Sequence, residues 1–208
     1  MAIFNLLSCQ NKAQEKQEYM AIYQKYYQGQ IEESALLLSE FIKKYPNNHN
    51  AWTFYGVVES QLMKDSIAEI AFNKALEINP NIKQALTGLG VIYRTQGKFD
   101  QAEQLYQKSL EIDPNFPEAY SSLVLIELNK INYEKAIEYG KKALELDNTN
   151  SVFAANLAVA YHFNSNLELR DEMFQKSKAL GYDQLDVEIV EAVFEGRISL
   201  EEMLNQEP

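Results

Sequence analysis

Glu77-Ile78-Asn79-Pro80-Asn81 and Glu111-Ile112-Asp113-Pro114-Asn115 are nearly the same pentapeptide, set 34 residues apart. Lys44-Tyr45-Pro46-Asn47-Asn48 stands one period earlier. Glu145-Leu146-Asp147-Asn148-Thr149 stands one period later and lacks the proline. Three of the five prolines in the chain thus fall on one comb. Other columns keep the same period. Ser34, Ala68, Ala102 and Ala136 are small, as are Ala75, Ser109, Ala143 and Ser177. Phe72, Tyr106 and Phe174 are aromatic, with Leu38 and Gly140 at the remaining sites of that column. Trp52, Leu86 and Tyr120 form a large apolar column, and Gly56 and Gly90 a glycine one.

Within a period the pattern is helical. Leu86, Leu89 and Tyr93 mark one face, and Ala102, Leu105, Tyr106, Ser109 and Leu110 mark another. Gly97-Lys98 separates the two helices and Asp113-Pro114 closes the pair. Each period is therefore a helical hairpin that cannot bury its apolar stripes alone, so hairpins must stack. The small columns let the second helix lie close to the first. The aromatic column fills the wedge between one hairpin and the next.

These residues resemble the tetratricopeptide repeat. His49–Ile82 carries Trp52, Tyr55-Gly56, Ala68, Phe72, Ala75 and Pro80. Lys83–Phe116 carries Leu86, Leu89-Gly90, Tyr93, Gly97, Ala102, Tyr106, Ser109 and Pro114. Glu15–Asn48, Pro117–Asn150 and Ser151–Gln184 are weaker copies. The fourth departs at Val124, Ile131 and Gly140, and the fifth has Arg170 at a small-residue site. The resemblance implies an all-α, right-handed superhelical solenoid of about five repeats (15–48, 49–82, 83–116, 117–150 and 151–184). Residues 185–208 follow as an acidic capping helix and tail. It also implies a protein–protein interaction adaptor that binds a peptide or partner helix on the concave face lined by the first helices. A structural subunit that self-associates through its terminal helix or convex face is the alternative.

Carried over position by position, that face includes Tyr19, Tyr23 and Tyr27 from the first repeat. Thr53 and Val57 come from the second, Thr87, Val91 and Arg94 from the third, and Ser121 and Leu125 from the fourth. Tyr19, Tyr23, Tyr26 and Tyr27 share one helix face and suit either partner binding or packing onto Leu38 and Phe41. Arg94 is the only Lys or Arg on the floor. The cationic clamp with which some relatives hold a carboxylate terminus is therefore not expected.

Composition narrows the chemistry. A net charge of −11 over 208 residues argues against nucleic acid as a partner. One Cys and two His leave nothing for a disulfide and little for a metal, and no cofactor is expected. There is no P-loop, GxSxG, HExxH or CxxC, so no enzyme is expected. Glu59 and Glu127 face a helix interface; only a deep pocket joining them to Arg94 would point to catalysis.

The two ends differ. Residues 183–208 carry eight acids against Arg197 alone, most of the net charge. Leu185, Ile189, Ala192 and Val193 make a helical stripe there, with Val187, Val190 and Phe194 close to it, and Ser199 is the expected N-cap of a last short helix. That segment is expected either to cap the last hairpin or to dock into a groove. At the start, Leu6-Leu7-Ser8-Cys9 resembles the end of a bacterial lipoprotein signal, without its basic region or full apolar core. Residues 1–14 are read either as a leader with Cys9 as the lipidation site or as an ordinary terminus. The first places the chain in the cell envelope, with membrane contact only through that anchor. The second places it in the cytoplasm.

Overall fold

The computed structural model describes residues 2–205, with side chains for 11–204. Every regular element among them is a helix. The Cys9 side chain, and with it the lipidation expectation, lies outside the described residues. The chain divides into two compact units, 1–89 and 90–208. The first holds α1 (Ala2–Tyr27), α2 (Ile31–Lys44), α3 (His49–Gln61), α4 (Asp65–Ile78) and the start of α5 (Lys83–Thr95). The second holds the end of α5, then α6 (Phe99–Ile112), α7 (Pro117–Asn129), α8 (Tyr133–Leu146), α9 (Ser151–Phe163) and α10 (Leu167–Ala179). It ends with α11 (Gln184–Phe194) and α12 (Leu200–Asn205). Helices pair as hairpins of one helix and the next up to α10. No helix among the described residues is long and apolar enough to cross a membrane.

The proline comb marks an Asx turn. Asn81 N–H donates to Asn79 Oδ1 at 3.0 Å, Asn115 N–H to Asp113 Oδ1 at 2.9 Å, and Thr149 N–H to Asp147 Oδ1 at 2.9 Å. The side chain closes the turn in each case. The turn therefore survives at Asn148, where proline is missing.

The turn inside each hairpin also recurs every 34 residues. Gly29, Met63, Gly97, Ile131 and Ser165 all have φ between 57° and 80°. In each turn the following N–H reaches the carbonyl five residues back, as in Lys98 to Tyr93 and Asn132 to Glu127, both 2.8 Å. This is the Schellman closure, which needs a left-handed residue. Glycine takes that conformation freely, whereas a β-branched side chain is strained in it. Ile131, 69% exposed, gains no burial in return. Ile131→Gly is expected to raise stability by about 1 kcal/mol, read as a higher urea midpoint. A lower midpoint would show that the isoleucine holds something the turn needs.

The aromatic column does wedge the helices. A Cβ at Gly56 would lie 2.7 Å from the Phe72 ring, and one at Gly88 would collide with the same ring. In the second unit a Cβ at Gly90 would lie 2.5 Å from Tyr106. Ala68, Ala102 and Ala136 are fully buried, which is what close helix approach requires. The fourth period exchanges the bulk. Val124 replaces the glycine and is fully buried, while Gly140 replaces the aromatic. Leu157 fills the space that Gly140 leaves, 2.9 Å from where its Cβ would be. At 140 the space of the missing aromatic is thus taken by a side chain of α9.

Candidate functional site

The first helices supply the candidate surface. In the first unit, Phe54 of α3 is the hub of an aromatic cluster. The rings of Tyr23 and Tyr26 lie 5.2 and 5.1 Å from it, and that of Tyr19 6.1 Å. Tyr19 also meets Phe41 at 5.8 Å. The hydroxyls are engaged as well. Tyr26 donates to Gln61 Oε1 at 2.9 Å, and the Tyr23 and Tyr27 hydroxyls share a 2.8 Å bond. Burial, with the neighbouring Tyr23, pushes the Tyr19 phenol up to about 12. The bond to Tyr27, then burial, raises Tyr23, and burial raises Tyr26. These phenols stay protonated.

Tyr27 is the member of this cluster that faces water, 68% exposed. Its orientation is nevertheless set, by Tyr23 at 4.7 Å and edge-on Tyr26 at 5.4 Å. Val57, three residues beyond Phe54 on α3, is also exposed. Thr53 turns inward and donates to His49 O at 2.8 Å, and Thr87 is buried.

In the second unit the corresponding face is occupied by the chain itself. α11 packs on α9 and α12 on α7. Val187 and Val190 join Leu128, Ala158 and Val159 in one apolar cluster. Phe194 stacks on His162 at 4.8 Å and meets Phe174 edge-on at 5.2 Å. The Arg170 guanidinium lies over the Phe194 ring at 5.1 Å. The misfit of Arg170 in its column is thereby explained: it covers a ring from outside the repeats. Leu204 is buried, and its carbonyl accepts from Arg94 Nη1 at 3.4 Å. Ser199 caps α12 reciprocally: Ser199 Oγ accepts from Glu202 N–H at 3.1 Å, and Glu202 Oε2 from Ser199 N–H at 2.7 Å.

Of the residues expected on this face, Arg94 and Leu125 line a cavity of about 160 Å³ beneath α11 and α12, with Asn156, Tyr182 and Asp186. Val91 packs beside the cluster of Ala102, Tyr106, Leu123 and Ile126. Ser121 is buried and accepts from Asn156 Nδ2 at 2.9 Å, tying α7 to α9. The stripe on α11 also differs from expectation. Val187, Val190 and Val193 are buried, whereas Leu185 is 65% exposed. Both sides of α11 are apolar enough to pack, so periodicity alone did not select one. Phe194 and His162 were legible only as separate apolar and polar residues.

The two buried glutamates have structural work. Glu127 Oε1 accepts from Lys135 Nζ at 2.7 Å, and Oε2 from Asn132 Nδ2 at 2.9 Å. Glu59 pairs with Lys64 at 3.3 Å. Each lies four residues before a non-glycine left-handed residue, Met63 or Ile131, and its carbonyl closes that turn. Glu127 does not line the Arg94 cavity.

Family models of the tetratricopeptide repeat match residues 19–48, 84–116 and 117–150. No curated protein sequence matches the chain. Among solved structures, TTC0263, a thermophilic TPR protein of Thermus thermophilus, superposes with a TM-score of 0.72 at 17% identity. The match covers 86% of this chain and 98% of that one. The pilF protein of Pseudomonas aeruginosa gives 0.70 at 16% identity, over 91% and 86%. MamA from residue 41 of Desulfovibrio magneticus RS-1 gives 0.63 at 22% identity, over 82% and 96%. At these identities the likeness is one of fold.

Proposed function

Since the chain is a tetratricopeptide-repeat protein, and such repeats mediate protein–protein interaction, we propose that it is an adaptor whose first unit grips a partner segment at the tyrosine edge of α1 and α3. One observation carries this reading. Tyr27 is a large exposed aromatic whose ring is already held by Tyr23 and Tyr26, and Val57, one turn on from Phe54, is exposed as well. An aromatic that is ordered before binding loses little entropy on contact, which is what makes such residues hot spots. Tyr27 and Val57 offer apolar area, and the phenol hydroxyls of Tyr23 and Tyr27 offer hydrogen bonds. The fitting ligand is a peptide or helix with an aliphatic or aromatic anchor and a free backbone or side-chain acceptor. Thr53, Thr87 and Ser121 are buried and offer a ligand little surface. No chemistry is assigned to the site: Glu59 and Glu127 brace turns.

Affinity capture with the full chain tests this. The double variant Tyr27→Asp, Val57→Asp should lose at least tenfold of the captured partner, because two charges replace the apolar anchors. Both side chains are exposed, so helical circular dichroism should be unchanged. Equal capture by the variant would place the site elsewhere.

A further inference from the structure

We propose that the inner face of the second unit is a second binding site, for a short amphipathic helix, and that α11 and α12 are its resident ligand. The site is built from α7, α9 and Arg94, none of which belongs to the tyrosine edge, so the two readings stand or fall separately.

The resident segment shows what the face accepts. Its apolar anchors are Val187, Val190 and Phe194 of α11, the last at the His162 ring, and Leu204 of α12. Its outward positions are acidic: Glu188, Glu195, Glu201 and Glu202 are exposed. That is the helix-in-groove mode of recognition, with anchors on one face and charge on the other. A partner helix with the same anchors would meet the same wall.

The fit is also imperfect where it is polar. The cavity of about 160 Å³ remains beneath the segment, with Arg94, Asn156, Tyr182 and Asp186 in its wall. The bond from Arg94 to Leu204 O is long at 3.4 Å. Asp186 is half-buried beside Asp183, and its carboxyl is held above the usual range, first by burial and then by that neighbouring charge. Docking α11 thus takes a carboxylate partly out of water without improving its pairing, a cost that a ligand with a neutral residue there avoids. The resident helix is therefore held mainly by its apolar anchors and is replaceable.

Two measurements on the full chain test this. In native-state hydrogen exchange, amides of 184–204 should exchange through an opening at least tenfold more populated than that of α7 and α9. Equal protection would make the segment part of the cooperative fold and overturn the proposal. In the second, a fluorescent peptide of residues 183–205 is titrated into wild type and into the variant Val187→Asp, Val190→Asp. The peptide should bind the variant at least tenfold more tightly, because the variant's own helix no longer competes. A peptide carrying the same two substitutions should not bind. Circular dichroism checks that the variant keeps its helices; if it does not, the exchange result on wild type decides. Equal binding to both chains would overturn the proposal. So would concentration-dependent dimers of wild type by light scattering, lost in the variant, because the occupant would then be a second copy.

Discussion

Phe72→Ala is expected to destabilise the first unit by about 3–5 kcal/mol. The Phe72 side chain is 1% exposed and fills the wedge between Gly56 of α3 and Gly88 of α5. Removing it leaves a cavity that two glycines cannot fill. The stronger test is a double-mutant cycle. Gly56→Ala alone should cost about 1–3 kcal/mol, because the added methyl meets the ring. In the Phe72→Ala background the same change should be neutral or favourable, since the methyl then enters empty space. Urea unfolding followed by circular dichroism gives both numbers. Equal costs in the two backgrounds would mean that the glycine serves its own helix and not the ring.

Lys135→Met should follow with a loss of about 1–3 kcal/mol near neutral pH. Glu127 is 1% exposed, and Lys135 pairs with it at 2.7 Å. Without that lysine the buried carboxylate keeps the Asn132 amide and loses its ion pair. The pH dependence should weaken with the substitution. In the native chain burial pushes the Glu127 carboxyl up, but the Lys135 and Asn132 bonds and the lysine charges outweigh it, so it lies below the ordinary 4.5. Its stabilisation is therefore complete above 4.5 and is lost as pH falls through the lowered value. In Lys135→Met the carboxyl loses that bond and charge, while burial still opposes its ionisation, so it rises from its native position. The variant's deficit should then shrink as pH falls and the group takes up a proton. The double variant Glu127→Leu, Lys135→Met should recover much of the loss, since a buried pair replaced by apolar side chains costs little. A deficit independent of pH would show that Lys135 acts through packing over Tyr139, whose ring it covers at 5.4 Å.

Much of this molecule was legible because a repeat states the same instruction several times. The spacing of Pro46, Pro80 and Pro114 located the hairpins. The Gly56/Phe72 and Gly90/Tyr106 columns located the joints between helices. Even the departures obeyed the period: Ile131 stands on the turn column, and Gly140 on the aromatic column, where Leu157 closes on it. The spacing of the α1 tyrosines puts them on one helix face, but the sequence could not divide them. Three rings at Phe54 and one toward water is a result of how α3 crosses α1, and no local pattern records that crossing. Hydroxyls misled for a related reason. Thr53 and Ser121 look like a polar floor in sequence, yet each is satisfied by its own or a neighbouring helix.

The sequence by itself determined the hairpins, their turns and the close-packed joints, because these depend on residues within one period and recur in every copy. The tertiary structure alone decided where the last helices go and which aromatic is left free. Residues 184–204 occur once and have apolar groups on more than one side. Their place on α7 and α9, far back in the chain, follows from long-range burial that no periodic pattern encodes.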